Sequence, residues 1–404
     1  MTKLRRHPEI SRKLSHRSLF LHAWDLAGEG TDAVMGSAAD AGLNVMCLAA
    51  TYHSGWFLHP SHPRHRAFMA ESGVCYFQPR KTYFKNARLF PKIATLATKN
   101  DWMLQAGKHA QKHGLQLVAW VIGTHNSRAG TQFPELTQKN VYGDSLPHAL
   151  CPANDEVWEY LLQLCRNIAC EYPVSALQLE SFGWMTFAHG HHHERDLVGL
   201  TPLEQELMSL CFCGACTRKA KRAGVDVAMV KLRVKQILES AMREAPNRPR
   251  NHPRRMQQLE VACPEMKKFN AWRKVFLDSL IAAIKKQALV NTECRLLLQT
   301  SFDPALAGVV DGFACGAYGK TGPETALICR QAKATVPRDW NGLLQCFIQL
   351  GAGIPASERQ LRFIISAVRD EGCNGINFYN RSESPPQMLK WLANILPAFA
   401  SENI

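Results

Sequence analysis

The sequence predicts an α/β protein built as an eight-stranded (β/α)8 barrel, and three observations carry that expectation. Eight short, β-rich apolar runs alternate with helix-like segments along the chain. Polar, ionisable and aromatic residues gather just past the ends of those runs, where a parallel barrel collects its chemistry. The competing doubly wound sheet would want a Gly-rich phosphate turn after the first run. The stretch His22-Ala23-Trp24-Asp25-Leu26-Ala27-Gly28-Glu29-Gly30 is not one.

Taken in order, the strands are expected at 19–24, 44–50, 115–122, 175–180, 294–301, 311–317, 342–349 and 374–379. A helix at 31–41 opens on Thr31 and stops near Gly42, and one at 100–112 stops at His113-Gly114. The segment 154–172 starts on Asn154 with Asp155 and Glu156 in its first turn, where acids favour the helix N-terminus. Helices at 323–334, 357–371 and 385–398 follow, and only 302–310 is too short to hold one. The long gaps after the second, third and fourth strands become elaborated loops on one rim. The expected organisation is a basic tail over 1–17 and a single barrel domain over 18–404 that carries a helical insertion at 200–290.

With 46% hydrophobic and 20% charged residues in 404, the chain has the composition of a soluble globular protein. No stretch approaches the roughly 18 apolar residues that span a membrane. The basic start is followed by only a brief apolar run at 18–21, so no export signal is expected. The fourteen cysteines are then expected as reduced thiols in a cytoplasmic protein, buried as small hydrophobes or gathered on a metal. The net charge of +14 is concentrated in the tail and in 218–286, where eighteen Lys/Arg face six Asp/Glu. That block is either a solvated insertion or a surface for an acidic polymer, a lipid or a partner. It lacks the interleaved aromatics and glycines of single-strand binding, so nucleic acid is not the expected partner. A homo-oligomer, if one forms, would use the helical insertion.

The barrel mouth is expected to hold His22, Trp24 and Asp25 from strand one, with Tyr52 and His53 from strand two. Strand three contributes Trp120, His125 and Asn126, strand four Glu180, and strand five Gln299 and Asp303. Tyr318 follows strand six, Gln349 ends strand seven, and Asn377, Tyr379, Asn380, Arg381 and Glu383 belong to strand eight. Aromatic faces stack on sugar C–H surfaces while acids and amides bind hydroxyls, so this set suits a small carbohydrate or glycoside substrate.

Cys211-Phe212-Cys213-Gly214-Ala215-Cys216 places three thiols in six residues, a spacing that lets thiolates converge on one tetrahedral Zn²⁺. With Cys151 ahead of the helix leading into strand four, and Glu180 at the end of that strand, the order resembles glycoside hydrolase family 42, the barrel β-galactosidases. The resemblance covers about 115–224. It implies a structural zinc on Cys151, Cys211, Cys213 and Cys216, and Glu180 as general acid/base. It departs where Leu179 precedes Glu180 and where strand seven, Gln345-Cys346-Phe347-Ile348-Gln349, carries no acid. Asp303, Asp25 and Glu383 are therefore the candidate second carboxylates, the first two placed ahead of the third, because glycoside hydrolysis uses a pair of acids.

Past Glu180, the loop His189-Gly190-His191-His192-His193-Glu194-Arg195-Asp196 admits three readings. It binds a transition metal, or it presents His189 and His193 to substrate hydroxyls or the strand-four acid, or it is a wet polar loop. The expected function is carbohydrate or glycoside hydrolysis with Glu180 as proton donor and no organic cofactor. The rivals are a metal-dependent lyase, isomerase or hydrolase using 189–196, and a non-catalytic carbohydrate- or nucleic-acid-binding barrel.

Overall fold

The computed structural model describes residues 13–400 except 86, 190–196, 245–246, 249–251 and 352. Eight parallel strands close into a barrel: β1 His16–Leu21, β2 Val45–Ala49, β3 Gln116–Ile122, β4 Ala176–Glu180, β5 Arg295–Leu298, β6 Gly312–Gly316, β7 Leu343–Gln349 and β8 Gly375–Tyr379. Each pairs with its neighbours in sequence, and β1 closes on β8 with Leu19 opposite Phe378. Nearly continuous burial along the strands is what a parallel sheet covered by helices requires.

The first strand differs from expectation. It starts at His16, so His16 and Arg17 belong to the barrel wall rather than to a tail, and the chain turns into a helix at Ala23–Glu29. Tertiary pairing overrides the polar composition of His16-Arg17-Ser18. The Arg17 backbone donates to Asn44 Oδ1 at 2.8 Å, and its guanidinium donates to the Gly42 and Leu14 carbonyls.

Side chains of alternate strand residues point into the barrel. One interior layer is polar: Gln345 donates to Gln178 at 3.3 Å, and Asn377 donates to Gln345. Above it lies an aromatic layer, with Phe20 edge-on to Trp120, Phe347 and Tyr379 at centroid distances of 4.9, 5.5 and 5.7 Å. Trp120 and Tyr379 are thus the floor of the mouth.

Short strands at 51–58, 67–75 and 92–93 decorate the rim after β2, and a two-stranded hairpin decorates it after β3. After β4 come the helices Pro202–Met208, Gly214–Arg222, Val227–Glu244, Met256–Ala262 and Pro264–Ala283. The first part of Pro264–Ala283 packs in the insertion's own core through Met266 and Phe269, and its last turns pack on the barrel through Leu280 and Ile281. The expected insertion boundary at 290 therefore overlaps the barrel's own crossover helix. Part of the basic block is neutralised internally: Arg248 and His252 reach the buried Glu204 at 2.6 and 2.8 Å. Among the described residues, no helix is long and apolar enough to cross a membrane.

Candidate active site

Glu180 closes β4 at the barrel mouth, where Trp120 on the adjacent β3 donates its indole N–H to Glu180 Oε2 at 2.7 Å. Burial pushes the Glu180 carboxyl up, while the Trp120 indole and the Gln299 amide pull the other way. The Gln299 nitrogen is buried without a hydrogen-bond partner in good geometry.

The backbone beyond Glu180 is held tightly. Ser181 sits at φ 56, a left-handed conformation that costs a non-glycine residue about 1 kcal/mol or more. Thr124 clamps this turn: its N–H and hydroxyl donate to the Ser181 carbonyl at 2.6 and 2.8 Å, and the hydroxyl also reaches the Gly183 carbonyl at 2.7 Å. Gly123 makes the close approach possible, because a Cβ there would lie 2.8 Å from the Phe182 ring.

Glu180 and Gln299 border two cavities. The one over the barrel axis, about 560 Å³, is walled by Tyr318, Gln349, Tyr379, Asn380 and Glu383. The other, about 770 Å³, opens beside β4 and β5 toward Phe302, Asp303 and Lys274. The axial one is the stronger candidate despite its smaller volume, because Tyr318 and Tyr379 line it together with Glu383, whereas the Asp303 carboxylate of the other is paired with Lys274. The Tyr52 and Tyr379 hydroxyls lie 3.4 Å apart. Both are raised, first by burial; the Glu180 and Glu383 carboxylates each push in the same direction, so the two acids bear on one hydroxyl pair. Tyr318 is raised by burial first, then by Tyr379 and Glu180, and remains 42% exposed at the cavity edge. Glu383 is oriented by Asn380, which donates to its carboxylate at 2.7 Å.

The other expected acids occupy different settings. Asp303 accepts from Lys274 Nζ at 2.7 Å and caps a short turn through the Ala305 N–H. Burial raises its carboxyl, but the Lys274 ammonium and that N–H prevail and hold it below the usual range. Asp25 is 0% exposed and borders neither cavity. It accepts from the His22 N–H at 2.7 Å and from Ser382 Oγ at 2.9 Å, and pairs with His59 Nε2 at 2.6 Å. Burial opposes its ionisation, and these contacts more than offset that. Its place is that of a scaffold under the rim, which corrects its expected position at the mouth.

Several expected substrate contacts also lie beneath the surface. His22 is 0% exposed, bonded to Ser382 at 2.7 Å and stacked on Trp24, whose indole N–H reaches the same hydroxyl. Asn377, 1% exposed, belongs to the polar interior layer, and Asn126 caps the helix Ser127–Gln132. By contrast, His53, His125 and His189 gather at the rim, with ring nitrogens within 4.8 Å of one another. His53 and His125 stack at 4.1 Å, and burial first, then its histidine neighbours, pulls His125 down to about 2. His191, His193, Glu194 and Asp196 lie outside the described residues.

The expected cysteine set does converge. Cys151, Cys211, Cys213 and Cys216 are buried, with Cys151 Sγ at 3.4, 3.8 and 3.5 Å from those of Cys216, Cys211 and Cys213. The Lys139 and Cys216 backbone N–H groups donate to the Cys211 and Cys213 sulfurs. Arg273 lies beside the group, its Nε buried without a partner.

Sequence reading missed the His59 and Ser382 contacts that immobilise Asp25. No local signal marks them, since 34 and 357 residues separate each from Asp25.

Compared with known protein families and curated proteins, the chain matches none. Solved structures do match its fold. α-L-Fucosidase isoenzyme 2 from Paenibacillus thiaminolyticus superposes with a TM-score of 0.59 at 10% identity, over 95% of this chain and 49% of that one. The β-galactosidase of the haloarchaeon Halorubrum lacusprofundi gives 0.54 at 12%, over 96% and 58%. The PgaB (BpsB) glycoside hydrolase domain from Bordetella bronchiseptica gives 0.54 at 12%, over 96% and 99%. The likeness is one of fold. The chain spans about half the length of the fucosidase and nearly the whole of the PgaB domain.

Proposed function

We propose that this chain is a glycosidase-like enzyme that hydrolyses an O-glycosidic bond, with Glu180 as general acid and Glu383 as the second carboxylate. One observation carries the reading: a half-buried carboxyl, raised by its surroundings, shares an aromatic-walled cavity with a second acid at the carboxyl ends of the barrel strands. Neutral Glu180 protonates the departing glycosidic oxygen as the C–O bond breaks. Glu383 supports the positive charge growing on the anomeric carbon, directly or by activating the water that supplies the new hydroxyl. Tyr318 and Tyr379 offer ring faces to the sugar, and Gln299 and Gln349 offer amides to its hydroxyls. The fucosidase, β-galactosidase and PgaB glycoside hydrolase likeness supports this choice of reaction and of a carbohydrate substrate.

The test is a panel of aryl glycosides and oligosaccharides assayed with wild type, Glu180→Gln and Glu383→Gln. Turnover by wild type that disappears in Glu180→Gln supports the assignment, and turnover unchanged in that variant overturns it.

The same reading places a structural zinc on Cys151, Cys211, Cys213 and Cys216. A tetrahedron with Zn–S bonds of about 2.3 Å has edges of about 3.8 Å, and the sulfur separations of 3.4 to 3.8 Å fit it. Arg273 is placed to offset the negative charge of four thiolates. The ion would tie the β3–β4 connection to the insertion and take no part in bond cleavage.

The His53, His125 and His189 group favours a second reading, a metal-dependent reaction at the same mouth. Activity lost together with bound metal in His125→Ala, and retained in Glu180→Gln, would select it.

A further inference from the structure

Beyond the site at the barrel mouth, a second set of thiols converges on the outside of the barrel. Cys315 on β6 and Cys346 on β7 are direct partners in the strand register. Gln345 points into the barrel, so Cys346 faces outward, as does its register partner Cys315. Cys329 reaches in from the helix Gly322–Thr335, and Cys373 stands on the turn that leads into β8. All are buried. The sulfurs of Cys315, Cys329 and Cys373 lie within 4.8 Å of one another, and Cys346 stands beside Cys315 in the strand register but outside that mutual distance.

We propose that Cys315, Cys329 and Cys373, with the neighbouring Cys346 drawn in as fourth ligand when the ion binds, form a second structural metal site, a zinc tetrathiolate between the barrel wall and its covering helices. A buried cysteine is commonly a small hydrophobe. Cys47, Cys75 and Cys263 behave that way, and among the described residues they join no group of three ligands. Four thiols from four separate elements, β6, the helix after it, β7 and the turn before β8, are a different matter. Thiolates from four directions complete the tetrahedral shell of a structural zinc and leave no open position for a substrate. A multi-iron cluster would spread its thiolates over a larger cage. The ion would pin β6, β7, the entry to β8 and the helix between them, the half of the barrel that lacks the Cys151 group. Binding would deprotonate the thiols, so zinc uptake would release protons.

The experiment is zinc content by native mass spectrometry on the full chain purified without chelator, with X-ray absorption at the zinc edge. Two zinc ions per wild-type chain in an all-sulfur shell at about 2.3 Å, one of them lost in Cys329→Ser and in Cys346→Ser, supports the proposal. The zinc that remains in those variants should be the one lost in Cys211→Ser. A single wild-type zinc that survives Cys329→Ser and goes with Cys211→Ser overturns the second site and leaves the first standing. Peptide mapping that finds a disulfide among these four cysteines also overturns it. Where the serine variants fail to fold, the wild-type stoichiometry and sulfur count decide: one zinc, or nitrogen or oxygen in the shell of the second, refutes it.

Discussion

The Trp120 indole nitrogen donates to a Glu180 carboxylate oxygen across 2.7 Å, joining the ends of two adjacent barrel strands. This bond favours the ionised acid, while burial favours the neutral one, and burial wins. A general acid must carry its proton, so kcat/KM is expected to hold at low pH and fall as pH rises through the Glu180 value. Trp120→Phe removes the donor, raises that value further and moves the alkaline limb to higher pH. A limb that stays in place would show that Glu180 is not the group being titrated.

The same balance has a stability consequence. A carboxyl raised on folding holds its proton more tightly in the folded state, so it costs stability as pH rises above its unfolded value of about 4.3. Glu180→Gln, which cannot ionise, should therefore melt at a higher temperature than wild type at pH 8 and match it near pH 4. Calorimetry at the two pH values checks the sign.

Glu383 and Asp303 are separated by their surroundings. Asp303 is occupied by Lys274 and a turn N–H, whereas Glu383 faces the axial cavity. Glu383→Gln should lower kcat by about 10²-fold or more, and Asp303→Asn by about tenfold or less. Steady-state kinetics on one aryl glycoside compares them, and the reverse order would exchange their roles.

Asp25 should behave as a scaffold. Asp25→Asn disturbs contacts to His59, Ser382 and the His22 N–H, and breaking a buried pair typically costs about 3–5 kcal/mol. Because its carboxyl is lowered in the folded protein, the stabilisation is present above the ordinary aspartate value and lost as pH falls through the folded one. Urea unfolding at pH 7 and pH 3 should show the gap between wild type and variant narrowing in acid.

Loss of the Cys151 group should be felt locally. Cys211→Ser is expected to speed hydrogen exchange at 134–154 and 202–222, while β1, β7 and β8 keep their protection. Uniform loss of protection would mean that the whole barrel depends on this group.

The sequence by itself determined the barrel and its punctuation, because strand burial and helix caps are written in local periodicity and short-range chemistry. All eight runs became strands, and Asn154 and Ser357 cap helices as their types favour, whereas Thr31, expected as a cap, is the first helical residue after Gly30. It also determined the Cys211, Cys213 and Cys216 run, three thiols within six residues, to which the family resemblance adds Cys151 and the fold brings it. Only the tertiary structure decided which polar residues face the cavity. Asp25, His22 and Asn377 have the same residue types as mouth groups, yet they are sealed by partners from the far end of the chain or by interior amides. Burial and partner choice are set by packing between distant segments. For the same reason Glu383, which shares a cavity with Glu180, and the single cysteines spread over 315–373 acquire meaning only when the barrel closes.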